Sequence, residues 1–119
     1  MQLGIDIIEI PRIETAVARY GEKFLRRILT EKEIQYCYSK ANPFESIAAR
    51  FACKEAIAKA LGSGISKKFH WQAVEILRDK HGKPKVKLCQ KVKGLSAKKI
   101  SVSMSHTHQH AVAIAIISP

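Results

Sequence analysis

The spacing of hydrophobic positions changes several times along the chain, and each change marks an element. Residues 3–10, LGIDIIEI, are β-branched and apolar apart from Asp6 and Glu9, and predict a buried strand. Pro11 suits the first turn of a helix, which the pattern carries to about Tyr20, before Gly21. Residues 22–29 predict a second short helical segment. Thr30 and Glu33 form a capping box that opens a third helix, reaching about Tyr38. Asn42-Pro43 marks a loop over 39–45. The strongest helical stretch covers about 44–61 and stops at Gly62. Residues 73–78 and 84–89 predict strands joined by a hairpin-like turn over 80–84, with Pro84 at a strand start. A short helix is expected over 90–97, then a strand pair over 99–105 and 110–117 around a turn at 106–109. There is no internal repeat or low-complexity tract. The interleaving predicts an α+β fold: a largely antiparallel sheet packed against one long buried helix, with short helices around it.

A chain of 119 residues fits a single domain spanning 1–119. Such a domain buries roughly two-thirds of its unfolded surface, enough for one core. No apolar run approaches the roughly 18 residues a membrane span needs, and Asp6 and Glu9 interrupt the N-terminal apolar stretch, so neither a membrane span nor a signal peptide is expected. Cys37, Cys53 and Cys89 lack metal or disulfide spacing; they read as packing residues of a cytoplasmic protein. Twenty-one Lys and Arg against ten Asp and Glu leave a formal charge of +11. That field favours an anionic partner, and nucleic acid, an acidic protein or a phosphorylated small molecule would each satisfy it.

The acids narrow the choice. Asp6 stands between Ile5 and Ile7, and an ionised carboxylate in a buried strand is costly unless a cation meets it. An ordinary structural ion pair would also account for it. In 47–61, eleven of fifteen residues are apolar, distributed almost all the way round the helix. The charges fall into two i, i+4 pairs, Arg50 with Lys54 and Glu55 with Lys59. Glu55–Lys59 alone is consistent with a helix-stabilising pair. Should Asp6 and Glu55 meet, the two carboxylates would require a cation, and Mg²⁺ suits one or two carboxylates completed by waters and phosphates. Lys59 would then reach the phosphate oxygens or take a proton.

Gly62-Ser63-Gly64 is either a helix stop or an anion-binding nest. His106, His108 and His110 would share a face on a continuous strand, but they cross the expected turn, which would splay them away from a common metal. His106 reads as a polar group at a strand mouth.

The segments GIDIIEIPRI, RFACKEAIAKALGSG and SVSMSHTHQHAVAIA together resemble the bacterial-type holo-[acyl-carrier-protein] synthases, a family of 4'-phosphopantetheinyl transferases. The resemblance covers essentially the whole chain, and KEA-x-x-KA-x-G-x-G after an N-terminal G-x-D is its most specific part. It implies Mg²⁺-dependent transfer of 4'-phosphopantetheine from coenzyme A to a serine of apo-acyl carrier protein, in support of fatty acid biosynthesis. It further implies Asp6 and Glu55 as metal ligands and Lys59 beside the pyrophosphate. Gly62, Ser63 and Gly64 fall near the nucleotide, and Arg50 and His106 on coenzyme A phosphates. A homotrimer with sites between subunits is implied as well. The loop Lys40-Ala41-Asn42-Pro43 departs from the family, which often carries more basic residues there, and His108 and His110 have no family role.

The nucleophile arrives on the partner, so no Ser-His-Asp set is expected, and none is visible. The general base is either Glu55 acting through water or Lys59 in its neutral form. Arg12, Arg19, Lys23, Arg26 and Arg27 recur at helical offsets across the first two helical segments. Under the resemblance they form a face for an acidic carrier-protein helix; a solvated stripe is the plainer alternative. A nucleic-acid-binding domain would explain the charge but not the acids, and no aromatic stacking series or RNP-like motif is present.

Overall fold

The computed structural model describes residues 1–119. Its elements are β1 (Gln2–Glu9), α1 (Ile10–Tyr20), α2 (Glu22–Ile28), α3 (Glu31–Tyr38), α4 (Pro43–Leu61), β2 (Val74–Arg78), β3 (Pro84–Leu88), β4 (Ile100–His106) and β5 (His110–Ile117). Short 3-10 turns occupy Trp71–Ala73 and Ala97–Lys99. The antiparallel sheet has the order β1-β5-β4, and β2 and β3 pair in a separate antiparallel hairpin.

Local chemistry sets most boundaries. Gly21, at φ 58°, separates α1 from α2. Thr30 accepts from the Glu33 amide, and Glu33 accepts from the Thr30 amide, so the capping box is formed. Asn42 accepts from the Phe44 amide at the start of α4, and Gly62 ends the helix in the left-handed region at φ 80°. No helix forms over 90–97, where Gly94 sits at φ 78° and the backbone turns instead.

α4 is the axis of the fold. One side packs on β1 and β5 through Ala52, Ala56, Ala60, Ala113 and Ala115; another packs on α1 and α3 through Ile47, Ala48, Ile10 and Ile13. At Gly4 the strand lies so close that a Cβ would sit 1.9 Å from the Ala56 carbonyl oxygen and 2.7 Å from the Ala60 amide nitrogen. Only glycine permits that approach.

The strand β1 is not buried on both faces as its sequence predicts. Its inner residues Gly4, Asp6 and Ile8 face α4, while Leu3, Ile5 and Ile7 on the outer face are 62, 59 and 64% exposed. In the sheet register these three lie beside Ile116, Ile114 and Val112 of β5, giving a broad apolar outer surface.

A charged network lies on the other flank of α4. Lys54 Nζ donates to Glu33 Oε1 at 2.7 Å and to the carbonyls of Ile28 and Trp71, at 2.9 and 2.8 Å. Glu33 Oε2 accepts from the Ile76 amide at 2.8 Å. Fully buried charges require this degree of pairing. Cys37 and Cys53 are buried beside the network, and desolvation pushes their thiols up to about 11 and about 12, so they pack as inert hydrophobes. Cys89, by contrast, is exposed.

Candidate active site

Asp6 reaches the site from the inner face of β1, its side chain 15% exposed, and Glu55 from the middle of α4. Both line one cavity of about 390 Å³, walled by Ile7, Ile8, Arg12, Phe24 and Phe51 among others. The Glu55 carboxyl is held above the ordinary carboxylate range, first by burial, then by the charge on Asp6, with Lys59 acting in the opposite direction. Two acids drawn together across 49 residues of sequence are the central feature of the site.

Lys59 Nζ donates to Asp6 Oδ1 at 2.9 Å and to the Ile5 carbonyl at 3.0 Å. The expected Glu55–Lys59 pair is thus replaced by a strand-to-helix pair. Apart from these two acids, no cluster of three or more His, Cys, Asp or Glu side chains stands ready for a metal. Two hard oxygen donors with open cavity beside them fit Mg²⁺, which keeps several positions for water and phosphate; they do not fit zinc, which takes three or four side chains.

The remaining candidates divide. Arg50 does not reach a ligand surface. Its guanidinium is buried, donating to the carbonyls of Ile76 at 3.0 Å and Ser46 at 3.2 Å and lying 4.5 Å over the Tyr36 ring. Within one chain Arg50 is thus packed in the core and lines neither the acidic cavity nor the lysine-lined cleft, though its second terminal nitrogen is buried without a partner.

The Gly62 and Gly64 amides donate to the Lys59 and Ala58 carbonyls, so they close the helix and form no nest. Gly62 and Ser63 nonetheless line a cleft of about 610 Å³ with Lys67, Lys68, Lys91 and Lys93. His106 and His108 turn towards Glu45 in the first turn of α4, with Nδ1 atoms 3.4 and 3.8 Å from its Oε2. Glu45 precedes Glu55 by about 15 Å of helix rise, so within one chain His106 stands apart from the Asp6–Glu55 cavity. His110 joins no metal cluster either.

The five basic residues do not form one stripe. Arg12 lines the cavity itself. Arg26 is neutralised by Glu31 and Glu22. Arg19 lies over the Tyr20 ring, and Lys23 and Arg27 flank a groove of about 500 Å³ with Ala16, Tyr20 and Phe24. Ala16 and Phe24 also line the acidic cavity, so groove and cavity adjoin. Sequence reasoning missed Phe24 and Phe51, because an aromatic on a helix carries no sign of whether it walls a core or a cavity.

A profile for the 4'-phosphopantetheinyl transferase superfamily matches residues 2–115. The chain belongs to that superfamily. It is 58% identical over its full length to the holo-[acyl-carrier-protein] synthase of Chloroherpeton thalassium, covering 98% of that protein. Among solved structures, the Helicobacter pylori holo-[acyl-carrier-protein] synthase in complex with coenzyme A matches with a TM-score of 0.83 at 35% identity, over 98% of this chain and 99% of that one. The Neisseria meningitidis holo-[acyl-carrier-protein] synthase matches with a TM-score of 0.85 at 29% identity, over 99 and 98% of the two chains.

Proposed function

We infer that the groups around Asp6 and Glu55 carry out the holo-[acyl-carrier-protein] synthase reaction. In it, 4'-phosphopantetheine passes from coenzyme A to a serine of apo-acyl carrier protein, and adenosine 3',5'-bisphosphate leaves. The observation that carries this is the shared cavity of Asp6 and Glu55 opening beside a groove with basic flanks. Transfer of this kind relies on placement and charge neutralisation more than on covalent help from the enzyme.

Asp6 and Glu55 would hold Mg²⁺, which when bound supplies positive charge to the pyrophosphate oxygens. Lys59, which donates to Asp6 and to the Ile5 carbonyl, would clamp a phosphate oxygen. With Lys59 as the clamp, Glu55 acting through a water would draw the serine proton. Lys23 and Arg27 would meet the acidic carrier protein, with the apolar floor of Tyr20 and Phe24 between them. The exposed face of Leu3, Ile5 and Ile7 offers an apolar surface for the contact between copies that the homotrimer implied by the family resemblance requires. In such an assembly His106 and the Lys67–Lys93 cleft of a neighbouring copy can complete the coenzyme A site.

The test is incubation of the purified protein with coenzyme A, Mg²⁺ and apo-acyl carrier protein. Intact-mass spectrometry should show the carrier gaining one 4'-phosphopantetheine, and chromatography an equal yield of adenosine 3',5'-bisphosphate. A folded protein that yields neither refutes the assignment. Analytical ultracentrifugation tests the assembly, and a monomer at micromolar concentration counts against it.

A further inference from the structure

The helix α2 spans seven residues, too few to hold its shape unaided. Three carbonyls at its C-terminal end are taken by side chains from elsewhere. Gln72 Nε2 donates to the carbonyls of Arg26 and Leu29, each at 2.6 Å. Lys54 Nζ donates to the Ile28 carbonyl at 2.9 Å. An ammonium at that end also complements the negative pole of the helix.

The placement of these two donors is informative. Lys54 immediately precedes Glu55, so the turn of α4 that carries the acid is the turn tied to α2. The same ammonium is shared with Glu33 of α3 and with the Trp71 carbonyl, next to Gln72. Lys23, Arg26 and Arg27 all ride on α2. Gln72 itself lines neither the acidic cavity nor the groove.

We propose that Gln72 and Lys54 are positioning residues that fix α2 as a docking platform at a set offset from Glu55. A carrier protein seated on Lys23 and Arg27 then presents its serine to the Asp6–Glu55 cavity. This rests on α2 being the carrier-docking face.

Lys54→Met would leave the Glu33 carboxylate buried without its cation and risks unfolding. Gln72→Met keeps the length of the side chain and removes the donor, so it is the variant of choice. Steady-state kinetics should show KM for carrier protein raised about fivefold or more, since two neutral hydrogen bonds are lost and one alone supports about that change. KM for coenzyme A and the affinity for Mg²⁺ should stay at wild-type values, while the amides of α2 exchange faster with deuterium. The proposal is overturned if α2 exchanges faster yet carrier KM holds, or if both KM values rise together, which is general loosening. Lys23→Glu, measured alongside, separates two failures. An unchanged carrier KM in Lys23→Glu removes α2 as the docking face, and the proposal with it. A raised KM there with none in Gln72→Met leaves the docking face standing and removes only the positioning role.

Discussion

Lys59 is bonded to Asp6, not to Glu55 one turn away on its own helix. The pair joins β1 to α4 at the point where both acids enter the cavity. In the proposed reaction this contact would make Lys59 an electrostatic clamp on a phosphate oxygen, not the base. Lys59→Ala should lower kcat about 10²- to 10³-fold, the loss seen when one preorganised donor is removed. Lys59→Arg should keep part of the rate, because a guanidinium preserves the charge. A kcat–pH profile of the Arg variant checks this; complete inactivity, with loss of a basic limb present in the wild type, would make Lys59 the base.

Glu55→Gln should abolish turnover and weaken Mg²⁺ binding by calorimetry, while making the metal-free protein more stable near neutral pH. The sign follows from the raised proton affinity of Glu55 in the fold. Its protonated form is favoured there, so its stabilising contribution is complete below the unfolded glutamate value of about 4.3 and is lost as pH rises through the higher folded value. Gln mimics the protonated form at every pH. The gain in Tm over wild type should therefore vanish on acidification to about pH 4; a gain independent of pH would place the effect elsewhere.

Gly4→Ala should destabilise the fold by about 3 kcal/mol or more, since the new methyl meets helix backbone that cannot turn aside. Relief requires β1 to lift off α4, which separates Asp6 from Glu55. Denaturant unfolding and Mg²⁺ titration should both report the change. A stable variant with intact metal affinity would show that the strand approach does not set the acid separation.

The basic residues should fall into three kinetic classes. Arg27→Glu should raise KM for carrier protein and change its salt dependence, as expected of a rim charge. Arg26→Ala should do little, because Glu22 and Glu31 already neutralise it. Arg12→Glu places a third carboxylate in the cavity of Asp6 and Glu55, and should lower kcat. Equal effects of all three on carrier KM would restore a single uniform face.

Glu33→Gln should cost about 3–5 kcal/mol, the loss found when one partner of a buried ion pair is removed. Urea unfolding measures it. A change below about 1 kcal/mol, in the range of exposed pairs, would mean that water reaches Lys54.

Much of the site was legible because acids in apolar surroundings are conspicuous. Asp6 among isoleucines and Glu55 in an alanine-rich helix stand out by their cost alone. Arg50 and Lys59 could not be told apart in the same way. A helix that is apolar almost all round carries no phase to show which charged stripe meets the cavity and which enters the core, and only the packing of α3 and β2 against Arg50 settles it. Glu33 is visible as a capping residue, but its partner Lys54 is 21 residues away and follows no local rule. Leu3, Ile5 and Ile7 have the same chemistry as Ile8, so the strand composition gives no sign that its outer face lies uncovered.

That uncovered face has a thermodynamic consequence. Successive side chains of β1 alternate between faces, so Asp6 shares its backbone torsions with Ile5 and Ile7. A surface that packs on those isoleucines also fixes the strand conformation that aims the carboxylate. Occupancy of the two faces is then linked: what tightens one tightens the other by the same factor. If copies of the chain cover that face as proposed, catalytic output per chain would become a mass-action quantity, falling on dilution and recovering when ligand draws the covered state back together.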